Sequence, residues 1–215
     1  MPTLTEELAL LLLNDSGRST VDLGRCRRAV GSAILLDLVR ADRIAIESPA
    51  DALPGVLPVV RDGAATGDPV LDKALETLGG RQIRLERVTE TIGRDCWPPL
   101  LESLVGRGLL RQEEGRLLGL VRTHAWPLVD HAYKREAVGR VRGAVIERRQ
   151  QDEPTLLLVM LLHSAGALAA VLPGEDRETV EARAGRLVRS TVTDSPWHEV
   201  FRGLDTALFT VLLAS

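Results

Sequence analysis

The sequence predicts a mostly α-helical fold, and three features carry that prediction. Leu, Arg and Ala are its commonest residues, and all three are strong helix formers. Aromatic residues are only 3% of the chain while apolar residues are 45%, so a core must be filled by Leu, Val and Ala. Finally, one stretch, Thr155 to Gly174 (TLLLVMLLHSAGALAAVLPG), contains no charged residue. A helix that is apolar on every side needs other helices around it. The expected architecture is a central apolar helix surrounded by amphipathic helices, to which the local signals below add a β-hairpin and a short N-terminal strand pair, in one domain over residues 1–215.

The central stretch also invites comparison with a membrane span, which needs about 18 or more apolar residues. Its uninterrupted apolar run, Leu156 to Leu162, is much shorter, and His163, Ser164 and Gly166 follow. The flanks Gln151-Asp152-Glu153 and Glu175-Asp176-Arg177-Glu178 lack the basic and aromatic anchors of a span. A buried helix is the reading adopted.

The other elements follow from local signals. Thr3 and Glu6 have capping-box spacing, ahead of a helix from Glu6 to Leu13 that Asn14-Asp15-Ser16-Gly17 ends. Cys26, Ala29, Val30, Ala33, Ile34, Asp37 and Leu38 recur at helical spacing, which predicts a helix from about Gly24 to Arg40. Arg43 to Glu47 alternates like a strand, and Val56 to Arg61 is its partner across a Pro- and Gly-rich loop. Asp68 is a suitable N-cap before Pro69; Leu71, Ala74, Leu75 and Leu78 form the inward stripe, and Gly79-Gly80 stop the helix. Asp68 and Asp72 lie one turn apart, but Asp68 is needed as the cap and no third acid is near, so no metal site is assigned.

An amphipathic segment, Arg81 to Ile92, is expected to break at Gly93–Pro99, with Pro98 or Pro99 starting a new helix, Leu100 to Arg107, stopped by Gly108. Leu109 to Gln112 and Leu117 to Val121 then read as a hairpin turning at Glu113–Arg116. Asp130 caps a long helix reaching Arg149; Glu178 to Ser190 is amphipathic, and Ser195-Pro196 opens a last helix.

Chemistry-bearing motifs are sparse. There is no G-x-S-x-G, P-loop, G-x-G-x-x-G or H-E-x-x-H, so no catalytic residue, metal site or cofactor is assigned. His124, His131, His163 and His198 are scattered singly. His163 lies within the apolar run and reads as a core histidine held by one partner, because buried polar groups are normally hydrogen-bonded. Cys26 and Cys96 show no metal or disulfide spacing, which points to a reducing cytoplasm. The net charge of −3 argues against wholesale nucleic-acid binding, and no nucleic-acid partner is expected. Arg25, Arg27 and Arg28 nonetheless crowd the start of one helix, where positive charge opposes the helix dipole. Such a cluster is a solvated face or a site for an anionic partner.

Four blocks in order resemble the Golgi phosphoprotein 3 family, whose bacterial members are common in actinobacteria. They are Leu4-Thr5-Glu6-Glu7; Ala33-Ile34-Leu35-Leu36-Asp37-Leu38 with Arg43-Ile44; Thr66-Gly67-Asp68 with Leu71-Asp72 and Ala74-Leu75; and Leu104-Val105 through Gly108-Leu109-Leu110 to Thr123-His124 and Pro127-Leu128. The resemblance implies a largely helical fold with a protruding hairpin that supports self-association. It also implies a non-enzymatic adaptor. Eukaryotic members bind phosphatidylinositol 4-phosphate at the cytoplasmic face of Golgi membranes and hold glycosyltransferases there. The lipid pocket of such members uses a tryptophan and three arginines, which align with Asp22, Gly31, Arg94 and Trp97; only Arg94 keeps its type.

The expectation is thus a cytoplasmic protein, peripheral on the inner face of the cell membrane, with weak affinity for anionic lipid head groups. Arg94, Trp97, Arg27 and Arg28 are its candidate anion-binding residues, aided by the helix N-terminus at Pro98 or Pro99. Leu117, Leu118, Leu120 and Val121 are the candidate self-association or protein-partner contacts, as apolar residues of a short exposed hairpin. Two rivals remain. A helix, Gly108 and a hairpin also suit a winged-helix DNA-binding regulator, and a polar pocket around His163 would suit a small-molecule binder.

Overall fold

A computed structural model describes residues 3–47, 57–61, 63–79, 85–117 and 121–194. Among these the chain is mostly α, with eight helices and two antiparallel two-stranded sheets. In order they are α1 (Leu4–Leu12), α2 (Leu23–Arg40), β1 (Ile44–Glu47), β2 (Leu57–Val60), α3 (Pro69–Leu78), α4 (Leu85–Gly106), β3 (Glu113–Leu117), β4 (Val121–Ala125), α5 (His131–Val145), α6 (Glu153–Ala165), α7 (Leu168–Val171) and α8 (Arg177–Asp194).

The centre is α6, which packs against α1, α2, α5, α7 and α8. Leu157, Leu158, Val159 and Leu162 are fully enclosed, and burying such a side chain is worth about 1.5–3 kcal/mol. No helix among the described residues is long and apolar enough to cross a membrane. The central stretch is not one helix to Gly174, however. Gly166 takes the left-handed conformation (φ 69°), its N–H bonds to His163 O, and Ala167 N–H bonds to Leu162 O. Those two bonds form a Schellman stop, which glycine enters without a Cβ penalty, and the short α7 then runs on separately. The helix also begins earlier than Thr155, because Asp152 accepts from Thr155 N and caps it.

Local caps behave as their sequences predict. The Thr3–Glu6 capping box is complete, although α1 starts at Leu4. Asp68 accepts from Val70 N and Leu71 N with Pro69 opening α3. Asp72 is engaged in the same turn: Thr66 donates to it from N and from Oγ1 at 2.6 and 2.8 Å, and these bonds hold its carboxyl below the usual range. Asp130 caps α5 through Ala132 N and Tyr133 N. That helix stops at Val145, short of Arg149, because Arg148 adopts φ 55° and turns the chain toward α6.

Two larger expectations fail. Residues 93–99 do not break a helix: α4 runs from Leu85 to Gly106 with Pro98 and Pro99 inside it. The hairpin is also displaced. Glu113–Arg116, read above as its turn, lies in β3, with Glu113 opposite Ala125 and Leu117 opposite Val121. Leu109 and Leu110 are core residues, and Leu110 bridges Leu128. Leu118 and Leu120 fall outside the described residues, as does the helix expected from Ser195.

Helix α1 is tied to its neighbours by consecutive side chains. Thr5 bonds Asp37 of α2, Glu6 pairs with Arg107 beyond α4, and Glu7 meets both Tyr133 and Arg140 of α5. Tyr133 is the only tyrosine in the chain. Its hydroxyl donates to Glu7 Oε1 at 2.6 Å. Burial, and then the Glu7 carboxylate, push this phenol well above its ordinary value, against the opposing pull of Arg140. The folded value thus exceeds the unfolded one, near 10. The linked stability is complete below pH of about 10 and is lost as the pH rises beyond it. In an alkaline titration, phenolate absorbance should appear only together with loss of helical circular dichroism. Phenolate forming near pH 10 in a still-helical protein would remove the Glu7–Tyr133 bond from this description.

Candidate anion-binding face

Three of the sequence-predicted site residues, Arg27, Arg28 and Arg94, stand where α2 and α4 approach backbone to backbone. A Cβ at Gly31 would lie 1.9 Å from Thr89 O, and one at Gly93 would lie 1.8 Å from Arg27 O. The pairs 31 with 89 and 27 with 93 run in opposite senses, so the helices are antiparallel. Carried one turn further, the register runs toward Leu23 and Trp97. Arg27 and Arg28 of α2 are therefore neighbours of Arg94 on α4, and Trp97 follows on the next turn, half-buried against the core.

At Gly31 the space a side chain would occupy is filled by the backbone of α4. The guanidinium groups of Arg27 and Arg28 do not reach a vacant pocket at that position, because there is none.

The helix-terminus part of the reading is corrected too. With α4 continuous, there is no ring of free N–H groups at Pro98 or Pro99 to receive an anion. Proline instead removes two intrahelical donors, so the carbonyls of Arg94 and Asp95 lose their usual bonds. The helix N-terminus on this face belongs to α2. There Asp22 is the cap, accepting from Arg25 N at 2.9 Å and pairing with Arg25 Nε at 3.0 Å. A carboxylate thus already occupies the place that an external anion favours.

The basic groups remaining are arranged as follows. Arg94 Nε lies 3.0 Å from Asp95 Oδ1, with more than half of the Arg94 side chain exposed. Arg27 Nε is buried and has no acceptor among the described residues, although buried guanidinium N–H groups are normally satisfied. Arg28 folds toward the first turn of α2, where its Nη1 would be 3.5 Å from a Cβ at Gly24. Four arginines thus face two aspartates, Asp22 and Asp95. Cys26 and Cys96 point inward from the same two helices, and burial pushes their thiols up to about 11 and about 12. They are unreactive core residues, since the thiolate is the reactive form.

The features behind the rival readings have structural roles here. His163 Nδ1 is 2.7 Å from Glu181 Oε2, and a Cβ at Gly185 would be 3.5 Å from its Nε2, so α8 covers the ring. In the hairpin, Glu113 opens β3 and its carboxylate pairs with Arg111 at 2.5 Å. Of the candidate self-association residues, Leu117 and Val121 close the β3–β4 ladder, while Leu118 and Leu120 lie outside the described residues. Among the described residues no group of His, Cys, Asp and Glu is placed to hold a metal.

Sequence reasoning missed Asp37. Its carboxylate, 6% exposed, accepts from Leu4 N, Thr5 N and Thr5 Oγ1 at 3.3, 2.9 and 2.7 Å. It acts as a second cap for α1 supplied by α2. No local signal announces a cap donated from more than thirty positions away.

Fold and site together define a helical domain in which α1 is bolted to three partners and a basic face lies over a closed α2–α4 seam. The sequence profile described as Golgi phosphoprotein 3 (GPP34) matches residues 4–202, and the chain belongs to that family. A search of curated proteins found no match. Several of the blocks that carry the resemblance are architectural in this chain: Thr5, Glu6, Glu7 and Asp37 anchor α1, while Thr66, Asp68 and Asp72 build the start of α3.

Proposed function

We propose that this protein is a non-catalytic, peripheral membrane protein that binds anionic lipid head groups weakly at the α2–α4 face and serves as a protein adaptor. Family membership supports the class. The observation that supports the site is the backbone contact of Arg27 with Gly93 at the α2–α4 seam, next in sequence to Arg28 and to Arg94. Trp97, half-buried on the next turn, suits a boundary between apolar core and head groups.

The expected affinity follows from the charges. Attraction to an anionic surface is about 1 kcal/mol per basic residue near it. The three arginines give on the order of 3 kcal/mol, less the repulsion from Asp22 and Asp95. Such binding is screened within about 8 Å at physiological salt. Flotation with phosphatidylglycerol vesicles should succeed at low salt and fail at high salt. It should also fail in Arg27→Ala/Arg28→Ala/Arg94→Ala. Binding that persists through both changes would move the site away from this face.

The adaptor half rests on the family and on the hairpin, with Leu117, Leu118, Leu120 and Val121 as its contacts. Replacing residues 117–121 by a Gly-Ser turn should reduce self-association in sedimentation velocity. Unchanged sedimentation would remove the hairpin from that role.

A further inference from the structure

We propose that the cleft between the end of α5 and helix α8 is a second anion site, shaped for a phosphate-ester group. It lies apart from the α2–α4 face, since α6 stands between α8 and α2, and it does not rest on the reading of that face. The cleft has a volume of about 400 Å³, within the range of small-molecule sites. Four arginines line it: Arg148 and Arg149 from the turn after α5, and Arg183 and Arg186 from successive turns of α8. Its apolar wall includes Val145 and Leu187.

Two of the four are held in place by the protein. Arg183 Nη1 donates to Ile146 O at 3.0 Å, capping the carbonyl end of α5. Arg149 Nε pairs with Glu147 at 2.7 Å. The other two, Arg148 and Arg186, have no ion pair among the described residues. Like charges brought together from two elements repel one another, so each needs a compensating group. The α5 carbonyl end accounts for Arg183, and Glu147 accounts for Arg149, but neither accounts for Arg148 and Arg186. Arg148 also sits at φ 55°, a conformation that Asn or Gly enters at lower cost.

Guanidinium groups arriving from two elements suit a ligand with several oxygens around one centre. Phosphate esters meet that description, and arginine forks bind them bidentately. Arg148 and Arg186 are assigned as the direct contacts. Arg149 and Arg183 add positive potential from fixed positions. Ser190 is not counted as a donor, because its hydroxyl already bonds Leu187 O.

The probe is inorganic pyrophosphate, titrated by calorimetry into the full chain at low salt. Saturable binding is expected, weakened about tenfold or more in Arg148→Gln/Arg186→Gln. Circular dichroism checks that this variant stays folded, as two exposed substitutions should allow. Arg186→Lys keeps the charge but loses the fork, and should bind severalfold more weakly than the parent. Flotation with phosphatidic acid vesicles decides the source of the phosphate. Capture that depends on Arg148 and Arg186 assigns a lipid head group, while its absence assigns a soluble phosphate ester. No saturable pyrophosphate binding, or equal affinity in the double variant, would overturn the proposal.

Discussion

Gly31→Ala should destabilise the protein, although alanine favours a helix by about 1 kcal/mol over glycine. The added methyl group would meet Thr89 O at 1.9 Å and Thr89 C at 2.7 Å, and both are backbone atoms of α4. Backbone cannot swing aside as a side-chain tip can. The helices must separate along the seam, and overpacking of this kind costs about 1–3 kcal/mol or more. The clash therefore outweighs the propensity gain. Gly31→Arg, the residue type that the family resemblance implies for this position, should prevent stable folding and not create a pocket. Urea midpoints measure the first change, and expression with helical circular dichroism measures the second. A stabilised Gly31→Ala protein would show that α2 and α4 do not touch there.

Asp37→Ala should be as damaging for a different reason. It strands the N–H groups of Leu4 and Thr5 and the Thr5 hydroxyl in the interior. Each unsatisfied buried group costs about 1–3 kcal/mol, so a loss of about 3–5 kcal/mol is expected, like that of a broken buried pair. Asp37→Asn keeps an acceptor oxygen and should lose less than half as much. Burial pushes the Asp37 carboxyl up, and this outweighs the lowering by Thr5, Leu4 and Arg40. With the folded value above the unfolded one, the protonated form is favoured by folding. That contribution is present below the unfolded value, near 4, and fades as pH rises through the raised one. Protonating Asp37 in mild acid should thus not release α1. Midpoints of both variants at neutral pH test the first statement, and equal losses for Ala and Asn would contradict it. A denaturation series on the parent from neutral pH to about pH 5 tests the second, and early loss of α1 there would contradict it.

What could be read from the sequence was what a few adjacent residues decide. Thr3 with Glu6, Asp68 with Pro69, and Asp130 each announce a helix start within three positions, and all three form. The burial of Leu157–Leu162 followed from the lack of charge in that run. Pro98-Pro99 misled because the local rule is a helix break, whereas packing along the seam with α2 keeps α4 in one piece. Gly166 is itself a helix-stop residue, but the apolar run continuing beyond it to Leu172 masked that signal. The displaced hairpin has a similar origin: Glu113–Arg116 has turn composition but pairs with residues 122–125. At the candidate face, the residues were legible and their setting was not. Gly31 looked like a missing arginine and is a close contact. Asp37, the Glu7–Tyr133–Arg140 cluster and the α5–α8 arginines are assembled only by tertiary packing.

At Gly31 the α2–α4 seam leaves no room for a further side chain, so anion binding at this face without head-group selectivity is the expected behaviour. The most direct measurement is flotation at low salt with two vesicle preparations of equal surface charge, one containing phosphatidylinositol 4-phosphate and one phosphatidylglycerol. Capture within about twofold of each other is expected, because point attraction to surface charge depends on charge and not on head-group shape. Capture by the phosphoinositide vesicles tenfold or more above the charge-matched ones, lost in Arg94→Ala, would require a pocket that the seam at Gly31 does not provide, and would contradict that expectation.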